Sequence, residues 1–548
     1  MLIRRGKAEG WLHLDTKSLK TWAEASGITF TNASPTAVPG RGTGLLADRD
    51  LKTESSLPTE ILTIDEELVL SGEAVRRHAQ FDKDFREVLE SLGDFGRSNL
   101  MGHATPRGAI LSFLLFQASL SCPHLEERVG VHCAFTDYVK SLPSELLPTF
   151  WTPDELQLLI GTTLAPAISS KLKSLRREYD LFCEAASNTR WYNIVSPHFS
   201  FDDWLQVDAM FRSRALDFYG SCMIPGMDLA SHAAHERTNA FYDRGYGKYH
   251  LYLMKGKELK VGEEVCITYG DEKGACEMLF SYGFLDEHMD TAETLFLSLN
   301  IPDDDISRSA KMKIANCAPG FKLIDISSSF SPNINDPESS TQDANEDDPS
   351  SSGTIDWTGD FIYLLCVTPS DGLEFQLAQT IDTTSEPELQ ATFNGTELPE
   401  GAISLRRLLA ASDKWDVYRL RAIVILQQRV FEQMQVLYSS QEDMESVPHG
   451  EGTDVRDVCY EQAMKLRRLE FELLEKAYED FEKQKIELAE TPAVKKFLAE
   501  MNGNVGAEED AAIGSSESAM AKRSSRINLK MWMLNADISG KLCANSGK

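Results

Sequence analysis

Apolar residues along this chain follow two different periods. Trp11, Leu14, Leu19 and Trp22 recur at helical spacing and predict a short amphipathic helix within residues 11–30. Pro35, Pro39 and the glycines at 40, 42 and 44 break that pattern with a loop. Short apolar runs with turn punctuation then predict paired strands over Thr43–Asp50 and Ser56–Ile64. From about Glu73 to Trp204 the helical period returns, with helices expected around Phe81–Leu92, Gly108–Ser119, Thr152–Ile160 and Lys171–Ala186, punctuated by Pro143, Pro148, Pro153 and Pro166. The most apolar run, Ala109–Leu120, is short and broken by Ser112 and Gln117, so it predicts a buried helix and not a membrane span. Strand character resumes at Met223–Pro225, Leu251–Lys255 and Val265–Tyr269. Two strand-rich blocks on either side of a helical one predict a single β domain assembled from both.

Beyond that domain the helical period lengthens. Leu405, Leu408 and Leu409, then Val417, Leu420 and Ile423, and later Leu466, Leu469, Leu473, Leu474 and Tyr478 predict long helices over Ile403–Ser439 and Asp454–Met501. No repeat of 20 to 50 residues is apparent, so a solenoid is not expected. The segment 331–353 is rich in Ser, Asp, Asn and Pro and reads as a disordered acidic loop, and the tail 506–548 reads the same way. The expected order is therefore an N-terminal helix with the first strands (1–72), a helical insertion (73–205), the returning strands (206–290), a mainly helical C-terminal domain (291–505) and the tail. The fold class is α+β.

Composition narrows the function. The 548 residues carry a formal charge of −30, with 85 acidic against 55 basic side chains. Nucleic-acid binders depend on a basic surface, so direct nucleic-acid binding is not expected, and a charged partner should be a basic protein. From Leu323 to Leu405 there is no Lys or Arg; that stretch reads either as steering for such a partner or as a solvated acidic face. The basic N-terminus (Arg4, Arg5, Lys7) is followed by no apolar signal core, and the ten Cys form no C-x-x-C pair. A monomer in the cytosol or nucleus, away from membranes and without a zinc cage or disulfide framework, is the expectation.

The chemistry is concentrated in two places. Gly40-Arg41-Gly42-Thr43-Gly44 lets backbone approach a ligand closely, but it has neither the dinucleotide spacing nor the lysine of a P-loop. On its own it reads as a plain hairpin turn. The second place runs from Arg212 to Phe284: Ser213-Arg214-Ala215, then Ile224-Pro225-Gly226-Met227-Asp228-Leu229-Ala230-Ser231-His232, then Gly262-Glu263-Glu264-Val265-Cys266-Ile267-Thr268-Tyr269-Gly270, then Ser281-Tyr282-Gly283-Phe284. In order and spacing these blocks resemble a SET domain, and in particular the class of the Rubisco large-subunit lysine methyltransferase and the fungal ribosomal-protein lysine methyltransferases.

The resemblance implies a split SET β-fold with a helical insertion, followed by an all-α substrate-binding-like domain, with S-adenosylmethionine as cofactor. It implies that Arg41, Gly42 and Thr43 cradle the methionine part of that cofactor, that Arg214 lies beside its carboxylate, and that Ser231-His232 meets its adenine and amino groups. The family has Asn-His where this chain has Ser231-His232, so a hydrogen bond is lost, water-bridged or supplied by Asn239. Tyr269 matches the family's transfer-site tyrosine; Tyr282 matches a second aromatic wall that also borders the cofactor, and Tyr242 a third. Asp228, Tyr242, Tyr269 and Tyr282 are the expected substrate contacts, and Tyr269 the expected catalytic residue.

A chemical reason supports aromatic walls. A lysine with a reference pKa of about 10.4 must enter neutral before its lone pair can attack a methyl group, and a narrow apolar channel disfavours the ammonium. No metal is required. His232 and His235 lack the order of a zinc-protease motif, and no cysteine cluster follows Phe284 of the kind that closes many histone-directed SET enzymes. Three readings stay open: a lysine methyltransferase for a non-histone protein such as a ribosomal one; a histidine methyltransferase, against which the apolar Leu216 near the acceptor position speaks; and an inactive SET-derived scaffold, which Ser231 favours.

Overall fold

The computed structural model describes residues 1–53, 58–93, 98–100, 103–144, 146–218, 220–326, 354–378 and 388–500. The expected acidic loop 331–353 and the tail 506–548 fall outside them. The chain divides into two compact units that are interleaved in sequence: residues 1–300, 319–359 and 427–480 form one, and residues 301–318, 360–426 and 481 onward form the other.

At the heart of the first unit lies a four-stranded antiparallel sheet in the order Ile28–Phe30, Glu60–Asp65, Lys248–Leu253, Ala240–Gly245. Its central pairing, with Leu62 opposite Leu251 and Ile64 opposite Tyr249, joins the strand block before the insertion to the block after it. Glu60–Asp65 is buried at its four inner positions because it is covered on both faces, whereas in Lys248–Leu253 buried residues alternate with the exposed Lys248 and the half-buried His250 and Tyr252. The single β domain expected from two separated blocks is thus formed. The edge strand Ala240–Gly245 was not anticipated, because its polar residues face solvent at the sheet's rim and leave no apolar alternation.

The insertion begins with two helices where one was expected. Gly72–Phe81 and Lys83–Leu92 are separated at Asp82, whose side chain caps the second by accepting from the Phe85 N–H at 3.0 Å. Arg107–Leu120 is buried along its whole length, as its composition predicts. Leu164–Ala186 tolerates Pro166 because the proline sits in the first turn, where no intrahelical donor is needed. Phe201–Arg214 opens on a capping box of Ser200 and Asp203 and leads back to the β structure. None of the described helices is long and apolar enough to cross a membrane.

The C-terminal part is helical where the periodicity predicts it: Ala402–Ala410, Trp415–Ser439 and Asp457–Ala489. It also contains strands that the helical pattern did not announce. Thr294–Ser298, Gly320–Asp325 and Ile355–Thr358 form a three-stranded antiparallel sheet in the first unit. Leu373–Ala378, Glu388–Phe393 and Thr396–Glu397 form another in the second.

Candidate active site

The glycine loop is the turn of a hairpin between Ala33–Val38 and Gly42–Ala47. Gly40 and Gly42 have φ of 74° and 83°, a left-handed conformation that glycine adopts without strain, and a Cβ at either would meet nothing within 4 Å. The turn therefore presents backbone to open space. Behind it, the hairpin's second strand holds the Gly262–Val265 motif: the Ala47 N–H donates to Glu263 O at 2.9 Å, and the Val265 N–H donates to Leu45 O at 2.8 Å. Arg41 reinforces the union with an ion pair from Nη1 to Glu264 Oε2 at 3.1 Å, and Thr43 Oγ1 lies 3.5 Å from Thr16 Oγ1.

The third motif joins through a short parallel pairing of Ser231–His232 with Cys266–Ile267. A Cβ built on Gly44 would lie 3.9 Å from Ser231 Oγ, so the glycine hairpin and the Ser-His dipeptide are direct neighbours. Asn239 does not stand in for the family asparagine. Its Nδ2 donates to Glu264 O at 3.0 Å and its Oδ1 accepts from the Cys266 N–H at 2.9 Å, so both ends of the amide hold the neighbouring strand.

His232 Nδ1 accepts a hydrogen bond from the Tyr269 N–H at 3.1 Å. That bond needs an unprotonated Nδ1, and burial, only partly opposed by Asp286 and Asp271, pushes the His232 pKa below its ordinary value. The imidazole is thus neutral and locked to the backbone of the transfer-site tyrosine. Arg214 ends the 201–214 helix and donates from Nη1 to Asp228 O at 2.8 Å, with Asp228 Oδ2 at 3.7 Å. Asp228 itself is buried: its carboxylate accepts from the Tyr138 hydroxyl at 2.8 Å and from the Gly226 N–H at 2.9 Å. Burial raises its pKa against the pull of Arg214. Its side chain ties the Ile224–Leu229 loop to the insertion through Tyr138, a partner with no motif signature.

Tyr269, Tyr282 and His232 pack against one another. The rings of Tyr269 and Tyr282 lie 4.7 Å apart, and that of His232 lies 5.0 Å from Tyr269. The Tyr269 hydroxyl donates to Ala230 O at 2.8 Å, and the Tyr282 hydroxyl donates to Tyr269 O at 3.3 Å. Burial first, then Glu277 and Tyr242, push the Tyr282 hydroxyl up to about 12, so it stays protonated and can donate. Tyr242 packs edge-on against Phe218 at 5.2 Å, and burial raises its pKa too. Leu216 is half-buried and pairs with Cys222 in the short hairpin that precedes this wall.

Sequence reasoning passed over three contributors. Lys273 Nζ donates to Tyr269 O at 2.7 Å, Phe218 backs Tyr242, and Arg212 reaches the helix that carries Tyr282. A cleft of about 650 Å³ has Val69, Arg76, Phe218, Cys222, Arg244 and Tyr249 in its lining and includes none of Tyr242, Tyr269, Tyr282 or His232.

No protein-family model matches the chain. The SET domain-containing protein 8 of Schizosaccharomyces pombe is 27% identical over 285 residues, which are 51% of this chain and 58% of that protein. An actin-histidine N-methyltransferase of Xenopus tropicalis is 24% identical over 294 residues, 49% of this chain and 43% of the relative. The chloroplastic [fructose-bisphosphate aldolase]-lysine N-methyltransferase of Arabidopsis thaliana is 25% identical over 306 residues, 54% of this chain and 56% of the relative. The chain thus spans about half the length of the curated relatives it matches. Among solved structures, the SET domain of LSMT bound to lysine and AdoHcy aligns with a TM-score of 0.57 at 16% identity, covering 93% of this chain and 98% of that one. The chain is therefore a sequence relative of SET-domain methyltransferases, and its fold is the split SET fold of LSMT.

Proposed function

We propose that this chain is an S-adenosylmethionine-dependent methyltransferase that modifies the side-chain amine of a lysine in a non-histone protein. One observation carries the reading. Three motifs remote in sequence meet in the fold: the glycine hairpin lies against Ser231, the Ser231–His232 strand pairs with Cys266–Ile267, and Tyr282 packs on Tyr269. The residues fit the cofactor: an open glycine turn suits the close approach of a ligand, and a guanidinium suits a carboxylate.

When bound, S-adenosylmethionine supplies a methyl group on a positively charged sulfur. The chain's own residues do the rest. The half-buried aromatic wall favours the neutral amine by withholding water from the ammonium, so the acceptor gives its proton to solvent before attack. Tyr269, its hydroxyl fixed by Ala230 O and its N–H by His232, would present a fixed hydroxyl to the acceptor amine and orient it for attack. The charge of −30 supports a basic partner such as a ribosomal protein, met by a monomeric enzyme in cytosol or nucleus.

The histidine reading has one observation behind it, the match to an actin-histidine enzyme; the apolar Leu216 beside the wall favours lysine. Transfer of labelled methyl from S-adenosylmethionine into a cell extract, followed by mass spectrometry of the labelled residue, tests both. Methyl-lysine is expected. Methyl-histidine would replace the substrate assignment, and absence of saturable cofactor binding by calorimetry would leave the inactive scaffold.

A further inference from the structure

Asp208, Arg212 and Arg214 share the 201–214 helix, but their partners differ. Asp208 and Arg212 are four residues apart and lie on one face, whereas Arg214 is offset from them by half a turn or so. The Asp208 side chain is wholly buried and collects three cations: Arg107 from one insertion helix, Lys171 Nζ at 2.9 Å from another, and Arg212, whose Nε lies 3.4 Å away as an ion pair short of hydrogen-bond geometry. Arg107 is held a second time by Glu178, at 2.9 Å and 3.0 Å. Burial alone would raise the Asp208 pKa, but Lys171, Arg107 and Arg212 hold it down at about 2, so the hub stays charged.

From this hub Arg212 reaches out of the insertion. Its Nη1 donates to Phe280 O at 2.7 Å, its Nη2 donates to Thr149 Oγ1 at 3.3 Å, and its guanidinium sits 4.4 Å from the centre of the Phe280 ring. Phe280 belongs to the last turn of the helix Ala275–Tyr282, where carbonyls have no intrahelical partner; Gly283 takes Leu279 O, and Arg212 takes the next. Two residues further on is Tyr282, whose ring lies against Tyr269.

We propose that Arg212 is a positioning residue for methyl transfer. It pins the final turn of the 275–282 helix, sets the spacing between Tyr282 and Tyr269, and ties that spacing through Asp208 to the helical insertion. The inference rests on the methyltransferase reading and adds to it a function for the insertion: bracing one wall of the acceptor channel. Arg212 makes no contact with Ser231, His232 or the glycine turn, so cofactor binding should not depend on it.

The test uses the full chain with Arg212→Ala and the milder Arg212→Lys, each checked for folding by thermal unfolding. At saturating labelled S-adenosylmethionine, transfer into cell extract should fall about 10- to 100-fold in Arg212→Ala, because a small displacement of reacting groups is enough for losses of that size. Cofactor affinity by calorimetry should stay within about threefold, roughly half a factor of ten. Added guanidinium ion should restore part of the transfer in Arg212→Ala, and the proportions of mono-, di- and trimethylated product should change, neither of which follows from a loss of stability alone. Unchanged rate and product proportions, or loss of cofactor binding together with transfer, would overturn the proposal; if Arg212→Ala does not fold, the same readouts in Arg212→Lys decide it. Near-ultraviolet circular dichroism gives a measure independent of activity: Arg212→Lys should alter the tyrosine signal, and not when Tyr282→Phe is already present. A wild-type chain that binds cofactor but transfers no label would overturn the functional reading, while this spectrum would still judge the placement of Tyr282.

Discussion

On the cofactor side of the site, Arg41 to Thr43 sit on an exposed turn, and what they offer is mainly backbone in a conformation that Gly40 and Gly42 permit. On the acceptor side, Tyr242, Tyr269 and Tyr282 come from an edge strand, a loop and a helix end, and what they offer is half-buried aromatic side chain. The turn of the first surface is built locally by its glycines, and Ser231-His232 joins it through the pairing with Cys266–Ile267. The second exists only when three remote elements dock, and it depends on braces such as Asp228 with Tyr138 and Asp208 with Arg212. Substitutions on the two sides should therefore separate binding of the cofactor from transfer of its methyl group.

The largest separation is expected from Tyr269→Phe. Loss of a fixed hydroxyl at the transfer point should reduce labelled transfer by about 100-fold or more, with cofactor affinity by calorimetry nearly unchanged. An equal loss of affinity would break the division between the two sides. Next comes Arg214→Ala, which should weaken S-adenosylmethionine binding by about tenfold or more, the value of one charge-assisted hydrogen bond. Arg214 also donates to Asp228 O and lies beside the buried Asp228 carboxylate, so a lowered melting temperature should accompany it.

A pH experiment sharpens the contrast further, because two histidines titrate in opposite senses. His232 has a lowered pKa through burial, so its contribution is present at neutral pH and is lost as pH falls below about 6.5, when the unfolded chain takes up protons first. His78, in the insertion, is raised to about 9: burial would lower it, but the hydrogen bond to Asp82 and the nearby Cys133 outweigh burial. Its contribution is complete below about 6.5 and is lost as pH rises through 9. Thermal unfolding from pH 5 to 10 should show both limbs, with the alkaline one missing in His78→Gln and the acid one reduced in His232→Asn. The smallest effect belongs to Ser231→Asn. With Asn239 committed to the Glu264–Cys266 backbone, a restored asparagine should raise cofactor affinity by about fivefold, worth one ordinary hydrogen bond of about 1 kcal/mol. No gain by calorimetry would show that Ser231 already meets the need.

Residues whose role follows from local covalent chemistry could be read directly. Gly40 and Gly42 are legible because only a turn needs them, and the 107–120 helix because an all-apolar run belongs in a core. The order of the motif blocks made a split β domain legible too. Which of the three outcomes open for Ser231 involves Asn239 was not legible, because nothing local shows that both ends of the Asn239 amide are engaged. The 240–245 strand and the small sheets of the C-terminal part were missed because edge strands and short strands carry little apolar periodicity.

The sequence by itself determined the alphabet of the site: a glycine turn, a Ser-His dipeptide, two tyrosines at fixed spacing, and a helical insertion between two β blocks. Only the tertiary structure decided that Ser231 faces Gly44, that Asp228 is a buried brace, and that Arg107, Lys171 and Arg212 meet on one carboxylate. The physical reason is that a charge buried away from water must find its partner in space, and for Asp208 two of those partners lie on helices far away in the chain.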